Sequence, residues 1–529
     1  MENLRRIILG IAALAFMLAS EGNAQIKWTK EQKDLKKEAD YYYGFAAYPK
    51  AKKIYLELLK VDSLNAELNY KMGVCMLLAE NDKVNSAPYF ERASNAGFVE
   101  AHYYLGNFYH LQNEFDKAIR YYSMYLNADK KRKDIENEEV LFRIESSNRA
   151  KEMMALPVDV EIENMGQSIN TKYHEYVPII SADESVLIFT SRRKGSTGGK
   201  KDPYGRYYED IYISYKENGK WTSPVDIGAN INTDNYDAGV GLSSDGYTLI
   251  VYKTNKSQTG GDLYWSGLEG NVWQAPIKYD DNINSDYVEP SASLSSDGNK
   301  IYFSSNRPGG LGGRDIYRAV RFPNGEWSLP TNLGPHINTP YDDDAPFIHP
   351  DDKTLYFSSK GHSTMGGYDI FKSSLQEDDS WTAPENLGYP INTTDDDRYF
   401  VLSADGKRGY YSSEKKEGFG DQDLYVIHLP DATRDLTLIR GIVTSEITGE
   451  ALKALITIRN YETKKMEALH KSNSITGKFL LVIPPGKKMR MTIDVPGYQG
   501  HQEVLYYPRD EGFKTLEKSF LLKPVKGTN

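Results

Sequence analysis

Five isoleucine–asparagine pairs recur along the middle of this chain, with their asparagines at Asn170, Asn232, Asn284, Asn338 and Asn392. The last four are separated by 52 or 54 residues; the first step is longer because "KGSTGGKKDPYGRYY" inserts a loop. A repeat of this size cannot bury both of its faces alone, so the copies must stack on one another. Thirteen residues after each Asn stands an aspartate, Asp183, Asp245, Asp297, Asp351 or Asp405, in turns such as "SSDG", "HPDD" and "SADG". An alternating strand follows, as in "KIYFSS" and "TLYFSS". A glycine-rich turn comes next in most copies, and then Asp-aliphatic-aromatic: "DIY" at 210 and 315, "DLY" at 262 and 423, "DIF" at 369. Four copies add a tryptophan eleven residues before the next Asn: Trp221, Trp273, Trp327 and Trp381. Each copy thus holds about four short strands separated by turn residues, the content of one propeller blade. The fifth copy lacks its outermost strand, and "NMGQSIN" ahead of the first copy parallels "NLGPHIN" and "NLGYPIN". The pattern predicts a five-bladed β-propeller over 157–430, closed by its own N-terminal strand. A six-bladed ring with one degenerate blade is the alternative.

The Asp-Gly turns, the Y-F-S-S strands and "GGRDIY" resemble the WD40-like PD40 propeller family. Within the repeat, "YDDDAP" (341–346) and "TDDDR" (394–398) look like metal or acid/base clusters. Alignment takes them apart. Five residues after every Asn sits an acid, Glu175, Asp237, Glu289, Asp343 or Asp397, so the middle Asp of "YDDDAP" is one rung of a five-rung ladder, with Asp342 and Asp344 as local company. Catalytic sites use different residues in different roles. A repeated acid before an inner strand is therefore read as architecture, accepting hydrogen bonds from a neighbouring blade's backbone or an arginine. Arg192 and Arg307, at strand ends, would bridge to nearby aspartates in the same way. The rival is a ring of carboxylates at one mouth of the channel holding a cation such as Ca²⁺, which needs several oxygens converging on one point. "GHSTMGG" (361–367) nearly spells a nucleophile elbow, but one residue too many separates Ser363 from Gly366 and a strand follows instead of a helix. With no H-E-x-x-H and no phosphate loop in the sequence, a hydrolase is the least expected reading. No catalytic residue, metal or cofactor is assigned.

Before the propeller, residues 27–155 carry helical repeats. "HYYLGNFYHLQNEFDKAIRYYSMYL" (102–126) places the small Gly106 and Ala118 twelve residues apart, among aromatics that fill the space around two close helices. "NYKMGVCMLLAENDKVNSAPYFERA" places Gly73 and Phe90 similarly, and "EADYYYGFAAYPKAKKIYLELL" places Ala39, Ala51 and Tyr55 at matching offsets. These segments resemble tetratricopeptide repeats, with "NEEVLFRIESSNRAKEMMA" as a closing amphipathic helix. The resemblance implies a concave, protein-binding groove lined by the first helix of each pair, which by position would include Lys36, Asp40, Tyr43, Tyr70, Tyr103, Asn107 and His110. The blander reading is that several of these are only exposed helix positions.

The N-terminus, with Arg5 and Arg6, an apolar run from Ile7 to Ala19 and the small-residue end Gly22-Asn23-Ala24, reads as a signal peptide over 1–24. Export is expected, and the single Cys75 leaves no intramolecular disulfide to form. A net charge of −10 argues against a nucleic-acid partner. No other stretch is apolar enough to span a bilayer. After the propeller, 436–525 alternates apolar strands with turns at Gly441, Thr448-Gly449 and Pro484-Pro485-Gly486. Its "TGKF" and "PGY" resemble the carboxypeptidase regulatory-like domain, which implies a non-catalytic seven-stranded sandwich. The order of modules resembles the periplasmic PorE-type proteins of Bacteroidetes type IX secretion. That resemblance implies a scaffold that docks envelope proteins in the periplasm, peripheral to the outer membrane. Its OmpA-like domain and lipid-anchor cysteine are not written in this sequence, so direct peptidoglycan binding is not expected. A ligand- or cation-sensing propeller stands as the second reading.

Overall fold

In the computed structural model the described residues are 27–525, apart from 79–82, 129–133, 203–204, 256–259, 416, 421, 430–433 and 510. The expected signal peptide lies outside the described residues. The chain divides into two compact units, one of Met1–Phe108 with Arg120–Glu136, the other of Tyr109–Ile119 with Asn137–Asn529. The division runs through the third helical repeat.

Among the described residues seven α-helices come first: α1 (Lys30–Gly44), α2 (Tyr48–Val61), α3 (Ala66–Leu77), α4 (Ala87–Asn95), α5 (Glu100–Leu111), α6 (Phe115–Asn127) and α7 (Asn137–Ala155). Local signals set their ends. Thr29 and Gln32 form a reciprocal capping box at the start of α1. Asn65 caps α3 by accepting from the Leu68 N–H at 3.1 Å. Within the first unit the helices pack by size matching. A Cβ on Gly73 would stand 2.7 Å from the Phe90 ring, and one on Gly106 would stand 2.3 Å from the Tyr122 ring. Only glycine lets those rings lie flat against the facing helix.

The second unit carries five antiparallel sheets and a sandwich. The blades' inner strands are Glu175–Ile180, Asp237–Leu242, Ala292–Leu294, Asp343–Ile348 and Asp397–Leu402. Each is followed outward by two longer strands and a two-residue outer strand, except in the last blade. There Glu161–Asn164, from ahead of the first blade, pairs antiparallel with Asp423–His428 and supplies the missing edge. The ring has five blades, closed by the N-terminal strand as the repeat predicts; the six-bladed alternative is set aside.

The sandwich is built of seven strands, in sheets of three and four. Its core joins Ile439, Ile456, Leu481, Met491 and Ile493. It sits on the propeller's Asp-Gly turns. Leu438 and Leu480 pack with Ala182 and Ala404 of blades 1 and 5. His470 contacts Asp245 at 3.0 Å, Asn473 donates to the Gly270 carbonyl, and Asn299 donates to the Glu467 carbonyl. Arg440 lies 3.3 Å from Asp183. At the opposite ends of the inner strands, α7 packs on blade 4: Phe142 stacks on Tyr341 at 4.7 Å, and Arg149 donates to the Thr364 carbonyl.

Candidate functional site

The five asparagines that define the repeat share one role. Each side-chain amide accepts from the N–H and donates to the C=O of the aliphatic residue in the preceding copy's Asp-aliphatic-aromatic triplet. Asn338 does so with Ile316 at 2.7 and 3.0 Å, Asn392 with Ile370, Asn284 with Leu263, Asn232 with Ile211, and Asn170 with Leu424. All five are buried. The amide gives the aliphatic N–H its acceptor and adds a second donor to a C=O that already accepts from the edge segment, as Ile316 O does from the Leu333 N–H. Two sequence signatures that are far apart in the chain prove to be bonded to each other.

The acidic ladder is wholly buried: Glu175, Asp237, Glu289, Asp343 and Asp397 are all 0% exposed. Each accepts from the backbone N–H and the hydroxyl of the Ser or Thr four residues earlier, for example Thr339 with Asp343 at 2.6 and 2.9 Å. Sixteen residues onward a second donor arrives: Ser191 on Glu175, Ser305 on Glu289, Ser413 on Asp397, and Lys253 on Asp237. Arg193 and Arg307 add to Glu175 and Glu289 at 3.2 and 3.3 Å. These partners belong to the acid's own blade, which corrects the expected bond to a neighbouring blade. Inter-blade contact runs through the backbone instead, as the Asp343 N–H bonds to Arg314 O and the Asp397 N–H to Tyr368 O. Among the described residues no three His, Cys, Asp or Glu side chains gather as a metal cluster. Burial pushes the carboxyl of Asp343 up to about 7 and that of Asp397 up to about 8, against the opposing effect of their hydrogen bonds. Asp343 also keeps one oxygen buried without a partner.

A second ladder holds the glycine-rich turns. Asp315 accepts from the N–H groups of Leu311 and Gly312, Asp423 from those of Phe419 and Gly420, and Asp369 from those of Met365 and Gly366. "GHSTMGG" is the third of these turns.

Asp344 is more than local company. It is 1% exposed. One oxygen accepts from Ser291, Ser304 and the Ala345 N–H at 2.6–2.7 Å; the other accepts from Arg314 at 2.6 Å and Arg398 at 2.7 Å. It therefore ties blades 3, 4 and 5 together. Burial alone would raise its carboxyl, but the two arginines and two hydroxyls hold it well below the usual range. Arg192 pairs with Asp202 and Glu209 at 3.1 and 2.5 Å, and Arg193 is the residue that corresponds to Arg307.

Of the expected groove residues, Lys36 and Asp40 on α1 meet Glu67 and Lys71 on α3. Lys36 donates to Asp40 and Glu67 at 2.7 and 2.9 Å, Lys71 to Asp40 and Glu67 at 2.8 and 2.7 Å, and the Tyr55 hydroxyl closes on Asp40 at 2.7 Å. Burial would raise the Asp40 carboxyl; the bonds from Lys36, Lys71 and Tyr55 outweigh it and hold the group below its usual value. Tyr43 lies under the Lys71 ammonium at 5.6 Å. Tyr70 joins an aromatic cluster, stacking on Phe98 at 4.5 Å and meeting Tyr104 edge-on. Asn107 accepts from the Tyr122 hydroxyl at 2.7 Å. Two assignments are corrected. Tyr103 is buried among Tyr122 and Tyr125, and its neighbour Tyr104 takes the position beside Tyr70. His110 is buried between the Ser147 hydroxyl and the Met365 carbonyl, both at 2.9 Å, and burial pushes it down to about 4. Within the second unit it ties residues 109–119 to α7 and blade 4. Glu67, Lys71 and Tyr104 were missed; the spacing of Lys71 from Glu67 at i,i+4 was the available signal for the first two.

No family model matches the chain, and no curated protein matches it. Among solved structures, TolB from Acinetobacter baumannii is 14% identical, with 50% of this chain covering 57% of that one at a TM-score of 0.32. The Sgt2 tetratricopeptide domain from Aspergillus fumigatus is 17% identical over 28% of this chain and 97% of its own, at 0.23. An α-L-arabinofuranosidase from Lactobacillus brevis is 10% identical over 51% and 92%, at 0.34. The chain thus spans little more than half of the TolB structure. Among the described residues no helix is long and apolar enough to cross a membrane.

Proposed function

We propose that the chain is a non-enzymatic adaptor of the bacterial envelope, working in the periplasm at the outer membrane as its resemblance to PorE-type proteins of type IX secretion implies. Envelope proteins are its partners in this reading, with no nucleic acid. The observation that carries it is the lattice of Lys36, Asp40, Glu67 and Lys71 across two first helices. Its side chains are 18–43% exposed, and the Lys71 ammonium sits over the face of Tyr43. Paired charges next to partly exposed tyrosines suit recognition of a polar peptide or protein surface. The repeated carboxylates, by contrast, are engaged inside their blades, so the most conspicuous acids serve architecture.

The test is crosslinked affinity capture from envelope fractions, comparing the wild-type chain with a Lys36→Glu/Lys71→Glu variant. Recovery of a defined envelope protein that is lost in the variant is the expected result. Equal recovery by both, or recovery of no envelope protein by the wild-type chain, overturns the reading. Fractionation of cells checks the compartment independently.

A further inference from the structure

We propose that the propeller's channel, at the end where the inner strands begin, is a binding site for a carboxylate-bearing ligand. Arg314 and Arg398 would hold it, with Tyr176 and Tyr399 as walls. Three observations converge on this mouth.

The first is charge. Asp344 has its acceptor capacity filled from below by Ser291, Ser304 and the Ala345 N–H, and it engages both arginines with its remaining oxygen. Asp344 by itself cannot neutralise both guanidinium groups. Each guanidinium has five N–H groups, and each gives one of them to Asp344. The Arg398 Nε is buried without a partner. The side chains of Arg314 and Arg398 remain 33% and 19% exposed, whereas Asp344 is sealed beneath them. The other acids near the arginines have partners of their own: Glu209 pairs with Arg192, Asp342 lies 3.4 Å from the Lys360 ammonium, and Asp396 accepts from the Tyr368 N–H.

The second is backbone strain. Val177, Ala345 and Tyr399 have φ of 51°, 51° and 59°, and the strand register breaks at the same points in blades 1, 4 and 5. A β-branched or aromatic side chain is rare in that region, and such outliers gather at ligand clamps and switches. Each strained residue follows a mouth residue: Tyr176, Asp344 or Arg398. A bulge re-aims the neighbouring side chain. The strands of blades 2 and 3, with Gly239 and Ser291 at this position, have no positive φ there. Blade closure therefore does not require the strain.

The third is pre-organisation. The Arg398 guanidinium lies 4.1 Å over Tyr368 and 4.8 Å over Tyr399, and Tyr399 approaches Tyr176 at 6.3 Å. The plane of the fork is thus fixed before any ligand arrives. Beneath it the channel is apolar, a cavity of ≈ 50 Å³ lined by residues such as Ile179, Leu242, Leu294, Phe347 and Val401. A low-dielectric floor strengthens a charge-assisted bond at its rim. A planar carboxylate matches a guanidinium fork, and tyrosine faces and hydroxyls can hold the group that carries it. That group could be a peptide's chain end or a uronic acid, which the test separates.

The full chain is titrated calorimetrically with trialanine and with its amide, and with glucuronate and with glucose. The expected result is saturable binding of at least one acid, weakened about tenfold or more in its uncharged counterpart and in Arg314→Gln. Arg314 is the more exposed arginine, and its replacement leaves Arg398 on Asp344, so the fold is retained. Arg398→Lys keeps the charge without the fork and should weaken binding less. Trialanine alone binding assigns a chain end, glucuronate alone a uronic acid, and both the carboxylate itself. No binding of either acid at roughly 20 mM, or binding unchanged in the Arg314→Gln/Arg398→Lys double variant, overturns the proposal. The site is independent of Lys36 and Lys71, so the adaptor reading can fail without it.

Discussion

The helical repeats and the propeller blades are both made by repetition, but they join their parts by opposite means. Between helices, a missing side chain makes room: Gly73 admits Phe90, and Gly106 admits Tyr122. Between blades, an extra side chain stands in for backbone, as Asn338 does for Ile316. Volume matching tolerates drift, and the small residue of the first repeat is Ala39 rather than glycine. A side chain that must both donate and accept tolerates almost none, and all five blades use asparagine.

That contrast can be broken at several points. The largest effect is expected from Asn338→Ala, which leaves the Ile316 N–H buried and unpaired and removes one of the two donors on its C=O, the other being the Leu333 N–H. It should cost the propeller about 3 kcal/mol. Five of the six tryptophans lie within the blades, so tryptophan emission during urea unfolding reads this loss. Asn338→Asp keeps the volume and an acceptor and should cost less; equal cost would show that the lost donation, not volume, matters there. Next comes Gly106→Val, whose side chain would enter the Tyr122 ring. Overpacking of this kind costs about 1–3 kcal/mol, seen as loss of helical circular dichroism at lower urea while the tryptophan transition stays in place.

A smaller effect follows from the buried carboxyls. Asp343 and Asp369 are pushed up to about 7 and Asp397 to about 8, all by burial. Between the ordinary carboxyl value and these raised ones the folded state binds more protons than the unfolded state, so stability falls as pH rises. The propeller should be more stable at pH 5 than at pH 8, and Asp397→Asn should flatten the profile. Rising stability across that interval would contradict the assignment. The smallest change is expected from Lys71→Met. Its ion pairs are partly exposed, so the loss should stay below about 1 kcal/mol and shrink with added salt. A larger loss would mean that the helical unit also depends on polar bonds, narrowing the contrast with the blades.

The same contrast explains which parts of the site were legible in the sequence. A periodic position shows itself five times, so the Asn ladder, the acid ladder and the Asp-Gly turns could be found by alignment. Their partners were harder to read. Arg192 was singled out where Arg193 holds the rung, because two adjacent arginines offer no local sign of which one turns inward. Tyr103 and Tyr104 pose the same difficulty on a helix with aromatics all around. His110 looked like a groove residue because nothing near it in sequence announces Met365, which is 255 residues away. Asp344 looked incidental because its arginines come from two other blades.

The sequence by itself determined the repeating blade unit, the order of its strands, the turns and the strand expected to close the ring, while the count of five rather than six blades was settled by the strand pairing. Those depend on patterns within some fifty residues, where hydrophobic alternation and turn chemistry act locally. Only the tertiary structure decided which carboxylate became a hub between blades, which tyrosines stayed at the surface and where the inner strands bend. These depend on how separate blades and helices come into register, and a one-residue change of facing that is invisible in the sequence moves a side chain from the core to the channel mouth.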